Sequence, residues 1–229
     1  MPRHARGFDT EVAFAHLTRS DRELGAWMRK IGPIAVDPRW RKPFDPVDAL
    51  ARAILYQQLS GKAAATIVSR VEVAIASDRF HCDTLGRCDD AAIRACGVSG
   101  NKLLALRDLA LRESSGEIPD LRRMSTMDND AIIAALVPVR GIGRWTVEMM
   151  LMFRLGRPDV LPVDDLGIRK GAQSVDKLEA MPAPKALLER GECWGPYRTY
   201  ASLYLWRIAD TAVKTSTSTK RAPTKRSQD

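Results

Sequence analysis

The 229-residue sequence has no close cysteine pair: Cys82, Cys88, Cys96 and Cys193 form no Cys-x-x-Cys spacing. His4, His16 and His81 are equally scattered, with no His-x-x-His or His-Glu-x-x-His pattern. Zinc sites and metallohydrolases normally show such spacings, so neither is expected. The four thiols read instead as buried or partly buried groups in a reducing compartment. No run reaches the roughly eighteen apolar residues that a membrane span requires, so no membrane partner is expected. The opening MPRHARGFDTEVAF has no apolar signal core, which points to an intracellular protein. Period-2 alternation is also missing, which excludes an extensive half-buried sheet and leaves an all-α class.

What is present is charge and helical periodicity. The formal net charge is +8, with 45% hydrophobic and 28% charged residues. A basic globular chain of this length buries a substantial core and favours an anionic partner. Half of the excess lies in the last sixteen residues, KTSTSTKRAPTKRSQD, which hold five basic residues and one acid. They lack apolar anchors and read as a disordered basic tail over 214–229. Upstream, Ser20 and Glu23 are spaced as a capping box for a helix bearing Leu24, Trp27, Met28 and Ile31. Asp45 and Pro46 open another, followed by helices over 63–76, 89–95, 101–114, 128–137 and 144–155. Asp165 opens a further helix, and 196–213 places Tyr197, Tyr200, Tyr204 and Ile208 on one face.

Three groups of residues could carry chemistry. Gly141-Ile142-Gly143 joins two helices and is flanked by Arg140 and Arg144. Glycine admits a tight turn and close approach of a phosphate, and the next helix presents its N-terminal N–H groups there. An ordinary helix connection would use the same glycines. Asp164 and Asp165 follow the apolar run Val160–Val163; either can be an N-cap, and a partly desolvated carboxylate can also act as base or charge stabiliser. Trp145 and Trp206 would be core residues by default, or a π-rich wall for a flat, cationic base. Gln57 and Gln58 place two amides at a helix end.

Taken together, six blocks over roughly residues 10–210 resemble one family: HLTRSDRELGAWMRKIGP, LARAILYQQLSGKAAATIVSRV, GVSGNKLLALRDLA, VRGIGRWTVEMMLMF, DVLPVDDLGIRKG and WGPYRTYASLYLWR. The chain is similar to the helix-hairpin-helix/Gly-Pro-Asp superfamily of base-excision DNA glycosylases. Within it, the alkylation branch of 3-methyladenine DNA glycosylase II proteins is the nearest pattern. The resemblance implies two helical lobes with a cleft between them. One would span 46–157 and contain the hairpin; 1–45 plus 158–213 would form the other. The N-terminal α/β subdomain of the best-known bacterial enzyme is not expected.

By the same resemblance Asp165 is the catalytic aspartate, three residues before Ile168, and Asp164 its structural neighbour. Trp145 and Trp206 match base-pocket aromatics, with Met149, Leu166 and Gln57 beside them. Gln58 matches the wedge that fills the gap left by a flipped nucleotide. Gly141, Gly143 and Thr146, with Arg140 and Arg144, belong to the phosphate-gripping hairpin. Its carbonyls at Val137, Val139 and Ile142 are candidates for a structural Na+ or K+ ion. Several positions depart from the family pattern. Arg140 replaces the usual hairpin proline, Met149 and Leu166 replace tyrosines, and Arg207 replaces a third. Trp145 stands where bifunctional relatives carry a Schiff-base lysine, so no covalent intermediate or lyase step is expected. No cysteine cluster follows the last helix, so no iron–sulfur cluster is expected, and catalysis should need no cofactor.

The expected function is monofunctional hydrolysis of the N-glycosidic bond of alkylated purines, 3-methyladenine and 7-methylguanine, in damaged double-stranded DNA. The enzyme would act as a monomer, in the cytoplasm (nucleoid) of a bacterium or the nucleus of a eukaryote. Alternatives are excision of ethenoadenine, hypoxanthine or other lesions, and a catalytically silent DNA-binding module.

Overall fold

A computed structural model describes residues 4, 6–36, 40 and 42–219, with side chains as far as Thr211. Every regular element among the described residues is helical, and none contains a strand. The chain divides into two compact units, residues 1–6 with 39–155, and residues 7–38 with 156–229.

The second unit begins with α1 (Thr10–Ser20) and α2 (Arg22–Ile31). Asp21 joins them: it closes α1 and caps α2, accepting the Leu24 N–H at 3.0 Å. The cap is therefore Asp21, not the Ser20 of the expected capping box. The reason is long-range. The Asp21 carboxylate is buried and also accepts the Trp194 indole N–H and an Arg190 guanidinium N–H, each at 2.6 Å. Only an ionised side chain satisfies that site.

The first unit carries α3 (Pro46–Tyr56), α4 (Gly61–Ala74), α5 (Cys82–Leu85), α6 (Asp90–Ala95), α7 (Gly100–Ser114), α8 (Leu121–Met124), α9 (Asn129–Leu136) and α10 (Arg144–Phe153). Asp45, Ser60, Asp89, Ser99, Asp120 and Asp128 each accept a first-turn N–H with the side chain. These are the local signals that make helix starts readable from sequence. The exception that matters is α10, whose N-cap is Gly143 and has no side-chain cap.

His81, at the start of α5, lies between two carboxylates, with Nδ1 2.6 Å from Glu113 and Nε2 3.4 Å from Asp45. Burial opposes its charge, but the Glu113 hydrogen bond and both carboxylates outweigh this and raise its pKa above the usual 6.5. A group raised on folding stabilises the protein fully below its unfolded value and loses that contribution as pH rises through the folded value. Chemical denaturation should therefore show His81→Asn destabilising most near pH ~6, with the gap to the parent shrinking toward pH ~9. A gap independent of pH would show that folding leaves the His81 pKa unshifted.

The chain then returns to the second unit through α11 (Leu166–Val175), α12 (Pro184–Arg190), a 3-10 turn (Gly191–Trp194) and α13 (Arg198–Thr219). Leu17, Leu24, Met28, Ile168, Ala172, Trp194, Tyr200 and Tyr204 lie in the core of this unit.

Three expectations change. The units divide at 38/39 and 155/156 rather than at the helix boundaries 45/46 and 157/158, and residues 1–6 belong with the hairpin unit. The extended stretch before α3 stays with that helix because Arg6 donates to the carbonyls of Lys42 (2.7 Å) and Arg154 (2.9 Å). The last helix runs to Thr219, past the expected end at Val213, because no glycine or proline interrupts it before Pro223. The rest of the expected tail, 220–229, lies outside the described residues. Cys193 is exposed on the 3-10 turn rather than buried; the other three thiols are buried or partly so.

Candidate functional site

The hairpin between α9 and α10 is held from below. Val139 and Ile142 are buried at 1% and 3% exposure, and the Ile142 N–H closes on the Val139 carbonyl at 3.0 Å. Between them Gly141 adopts φ +78°, the left-handed region, and a Cβ there would stand 3.3 Å from the Ala105 side chain. Gly143 differs, because a Cβ there would meet nothing within 4 Å. The fold does not need glycine at 143; open space lies above the N-terminus of α10. Arg140, Gly141, Gly143 and Arg144 are all exposed around it. Asp108 accepts the Arg140 backbone N–H at 2.8 Å and so ties the turn to α7.

The end of α3 is fastened to the same turn. The Gln57 side-chain amide donates to the Gly141 carbonyl at 2.8 Å. Lys102 donates to the carbonyls of Leu55 (2.7 Å) and Gln57 (2.8 Å), satisfying the end of α3. Gln58, the next residue, is exposed and held at φ +56°. That conformation costs a non-glycine residue of order 1 kcal/mol and persists only where neighbours fix it. Lys102 was not visible as part of this device from sequence, since it lies 45 residues from Gln57.

A cavity of about 730 Å³ opens between α3 and α10. Ala49, Ala53 and Tyr56 line it from α3, with Trp145, Met149 and Phe153 from α10. Gln57, Gln58 and Thr146 are also at its surface, as are Asp48, Arg52 and Arg154. Trp145 is 49% exposed, an unusual state for so large an aromatic and one that suits an external flat ring. Of the residues expected at a base site, Trp145, Met149 and Gln57 line this cavity, although Gln57 spends an amide N–H on the hairpin. Ala49, Ala53 and Tyr56 of α3 and Phe153 of α10 were not foreseen there.

Asp165, Leu166 and Trp206 belong to the other unit. The approach segment Val160, Leu161 and Pro162 is buried, as the apolar run suggested. Thr199 of α13 fastens it, donating to the Arg157 carbonyl at 2.6 Å and accepting the Val160 N–H at 3.1 Å. The Asp165 N–H then reaches back to the Pro162 carbonyl (3.1 Å), and Asp165 becomes the N-cap of α11. Its Oδ1 accepts the Ile168 N–H at 2.9 Å and the Trp206 indole N–H at 2.8 Å. Asp164 and Leu166, on either side, are exposed, and Trp206 is half-buried. Of the two aspartates it is Asp165 that is partly withdrawn from solvent and held in place. Among the described residues no group of three His, Cys, Asp or Glu side chains could hold a metal ion, and no helix is long and apolar enough to cross a membrane.

Residues 51–196 match the HhH-GPD superfamily of base excision DNA repair proteins. The chain belongs to that superfamily. It is 34% identical to DNA-3-methyladenine glycosylase 1 of Schizosaccharomyces pombe over 86% of each chain. A solved 3-methyladenine DNA glycosylase from S. pombe in complex with abasic DNA superposes with a TM-score of 0.72 at 34% identity, covering 86% of this chain and 95% of that one. A DNA-3-methyladenine glycosidase structure from Bacillus halodurans gives 0.79 at 31% identity, covering 93% and 95%. The matched stretch of the superfamily includes the hairpin and Asp165 but stops before Trp206.

Proposed function

We propose that the protein is a DNA glycosylase of base-excision repair that hydrolyses the N-glycosidic bond of alkylated purines, 3-methyladenine and 7-methylguanine, in double-stranded DNA. The observation that carries the chemistry is Asp165, half-buried at the start of α11 with Oδ1 held by two N–H donors. The superfamily membership and the 3-methyladenine glycosylases it resembles carry the substrate class.

A carboxylate cannot reach the sugar of a stacked nucleotide, so the nucleotide must leave the helix, at a cost of a few kcal/mol that is least for a damaged pair. The exposed N-terminus of α10 at Gly143, with Arg140 and Arg144 beside it, is suited to a DNA phosphate, because free N–H groups and the helix dipole favour an anion. Thr146 sits within the same first turn. Gln58, exposed at the end of α3, would fill the stack. The extruded base would lie against Trp145 and Met149, with Gln57 at the rim. An N-alkylated purine already carries positive charge and leaves readily. Asp165 would then stabilise the oxocarbenium character of the sugar and orient the attacking water. The half-exposed Trp145 favours a cationic base through its π face.

The backbone carbonyls of Val137, Val139 and Ile142 would hold a structural Na+ or K+ if one binds at the hairpin. Two of these residues are buried and hence fixed, and the Val139 carbonyl keeps a lone pair beyond the one taken by Ile142. Bound there, the ion would add positive charge beside the phosphate grip. Catalysis itself needs no cofactor in this reading, and the protein acts as a monomer on DNA inside the cell.

No lysine precedes Thr146; the position is Trp145. Incubation with methylated duplex DNA should therefore release free 3-methyladenine and 7-methylguanine and leave an intact abasic site. Strand cleavage at the site, or borohydride trapping of a protein–DNA adduct, would show lyase chemistry and overturn the monofunctional reading. Binding without base release would favour a silent module, and release confined to ethenoadenine or hypoxanthine would move the substrate.

A further inference from the structure

Two glycines one turn apart on α11, Gly167 and Gly171, bring it unusually close to α13. A Cβ on Gly171 would stand 2.1 Å from the Leu205 carbonyl oxygen, a distance no side chain tolerates. A Cβ on Gly167 would stand 2.7 Å from Trp206 Cδ1 and 3.1 Å from Trp206 Nε1. It would also stand 3.1 Å from Asp165 Oδ1. A methyl group at 167 would thus intrude on both partners of the Trp206–Asp165 hydrogen bond. Within a helix glycine costs about 1 kcal/mol relative to alanine, so the fold gains nothing locally from it.

We propose that Trp206 is a positioning residue for Asp165, acting through its indole N–H, and that Gly167 is the clearance that lets the indole reach. The inference rests on the glycosylase reading above and adds to it. The indole N–H lies in the ring plane and reaches Oδ1 from α13, while the Ile168 N–H reaches the same oxygen from the backbone of α11. Two donors from different elements fix the rotation of the carboxylate, and with it the direction in which the second oxygen faces. A carboxylate held by the cap alone could turn about its Cβ–Cγ bond.

The test uses the full chain. In ¹⁵N-labelled protein the Trp206 indole resonance, assigned as the one missing from Trp206→Phe, should move on Asp165→Asn and again on Gly167→Ala. In single-turnover base release from methylated duplex, Trp206→Phe and Gly167→Ala should each slow the reaction about tenfold, the loss of one hydrogen bond to a charged group. Affinity for duplex containing an abasic analogue should stay within about twofold for both. A resonance unmoved by either substitution overturns the proposal, as does Trp206→Phe at the parental rate or a loss that falls on affinity alone. If the parent itself releases no base, the glycosylase reading fails, and the resonance still decides whether Gly167 and Trp206 position the carboxylate.

Discussion

Asp165→Asn should reduce single-turnover release of alkylated bases by about 10²–10³-fold while leaving the protein folded, the scale seen when a preorganised electrostatic group is removed from an active site. The substitution separates the two roles of the residue. Asparagine caps helices as well as aspartate, and its amide oxygen can still accept the Ile168 and Trp206 N–H groups. What it cannot do is place a negative charge against a sugar becoming positive. The melting temperature should therefore stay within a degree or two of the parent, and duplex binding should survive. Parental release by the variant would remove Asp165 from the mechanism.

The largest effect on stability should come from Asp21→Ala in the second unit. The carboxylate is 3% exposed and accepts from Leu24, Trp194 and Arg190, while Arg190 is also paired with Asp176 at 2.9 Å. Burial works against its charge, but the hydrogen bonds from Trp194, Leu24 and Arg190, with the Arg190 charge, hold its pKa below the usual carboxylate value. Removing one partner leaves the Trp194 N–H and part of the Arg190 charge without an acceptor, which costs about 3–5 kcal/mol. In a domain of this size that lowers the melting temperature by roughly 6–20 °C in differential scanning calorimetry. A carboxylate depressed on folding contributes above its unfolded value and loses that contribution as pH falls through the folded one. The deficit of Asp21→Ala should thus be constant near neutrality and shrink only in acid. A drop of a degree or less would mean that the network contributes little net stability.

The contrast between Ser20 and Asp21 shows where reading the sequence stops. Caps such as Asp45, Asp89 and Asp128 were legible because cap and helix are adjacent in the chain. Ser20-x-x-Glu23 was equally plausible locally; what decided for Asp21 was Trp194 and Arg190, about 170 residues away. The hairpin turn and a helix start at Asp164-Asp165 were legible because their signals lie in consecutive residues. Gly167 was not, because its meaning depends on how closely α13 approaches, and neither were Lys102 and Thr199, whose partners lie 45 and 42 residues away. Gln57 lines the cavity, and its amide also holds the hairpin carbonyl of Gly141, a contact 84 residues away that the sequence does not announce.

The φ of +56° at Gln58 limits what evolution or an engineer can place at that point. Valine, isoleucine or threonine would meet a steric penalty before any DNA arrived, whatever their merit as a filler. Asparagine would accept the backbone but reach less far, and glycine would relax it while offering no side chain. The backbone cost at this site is met once, during folding, by the Lys102 and Gln57 fastenings. An encounter with DNA then has less chain left to order, so swapping residues at 58 should alter association and fold stability together rather than either alone.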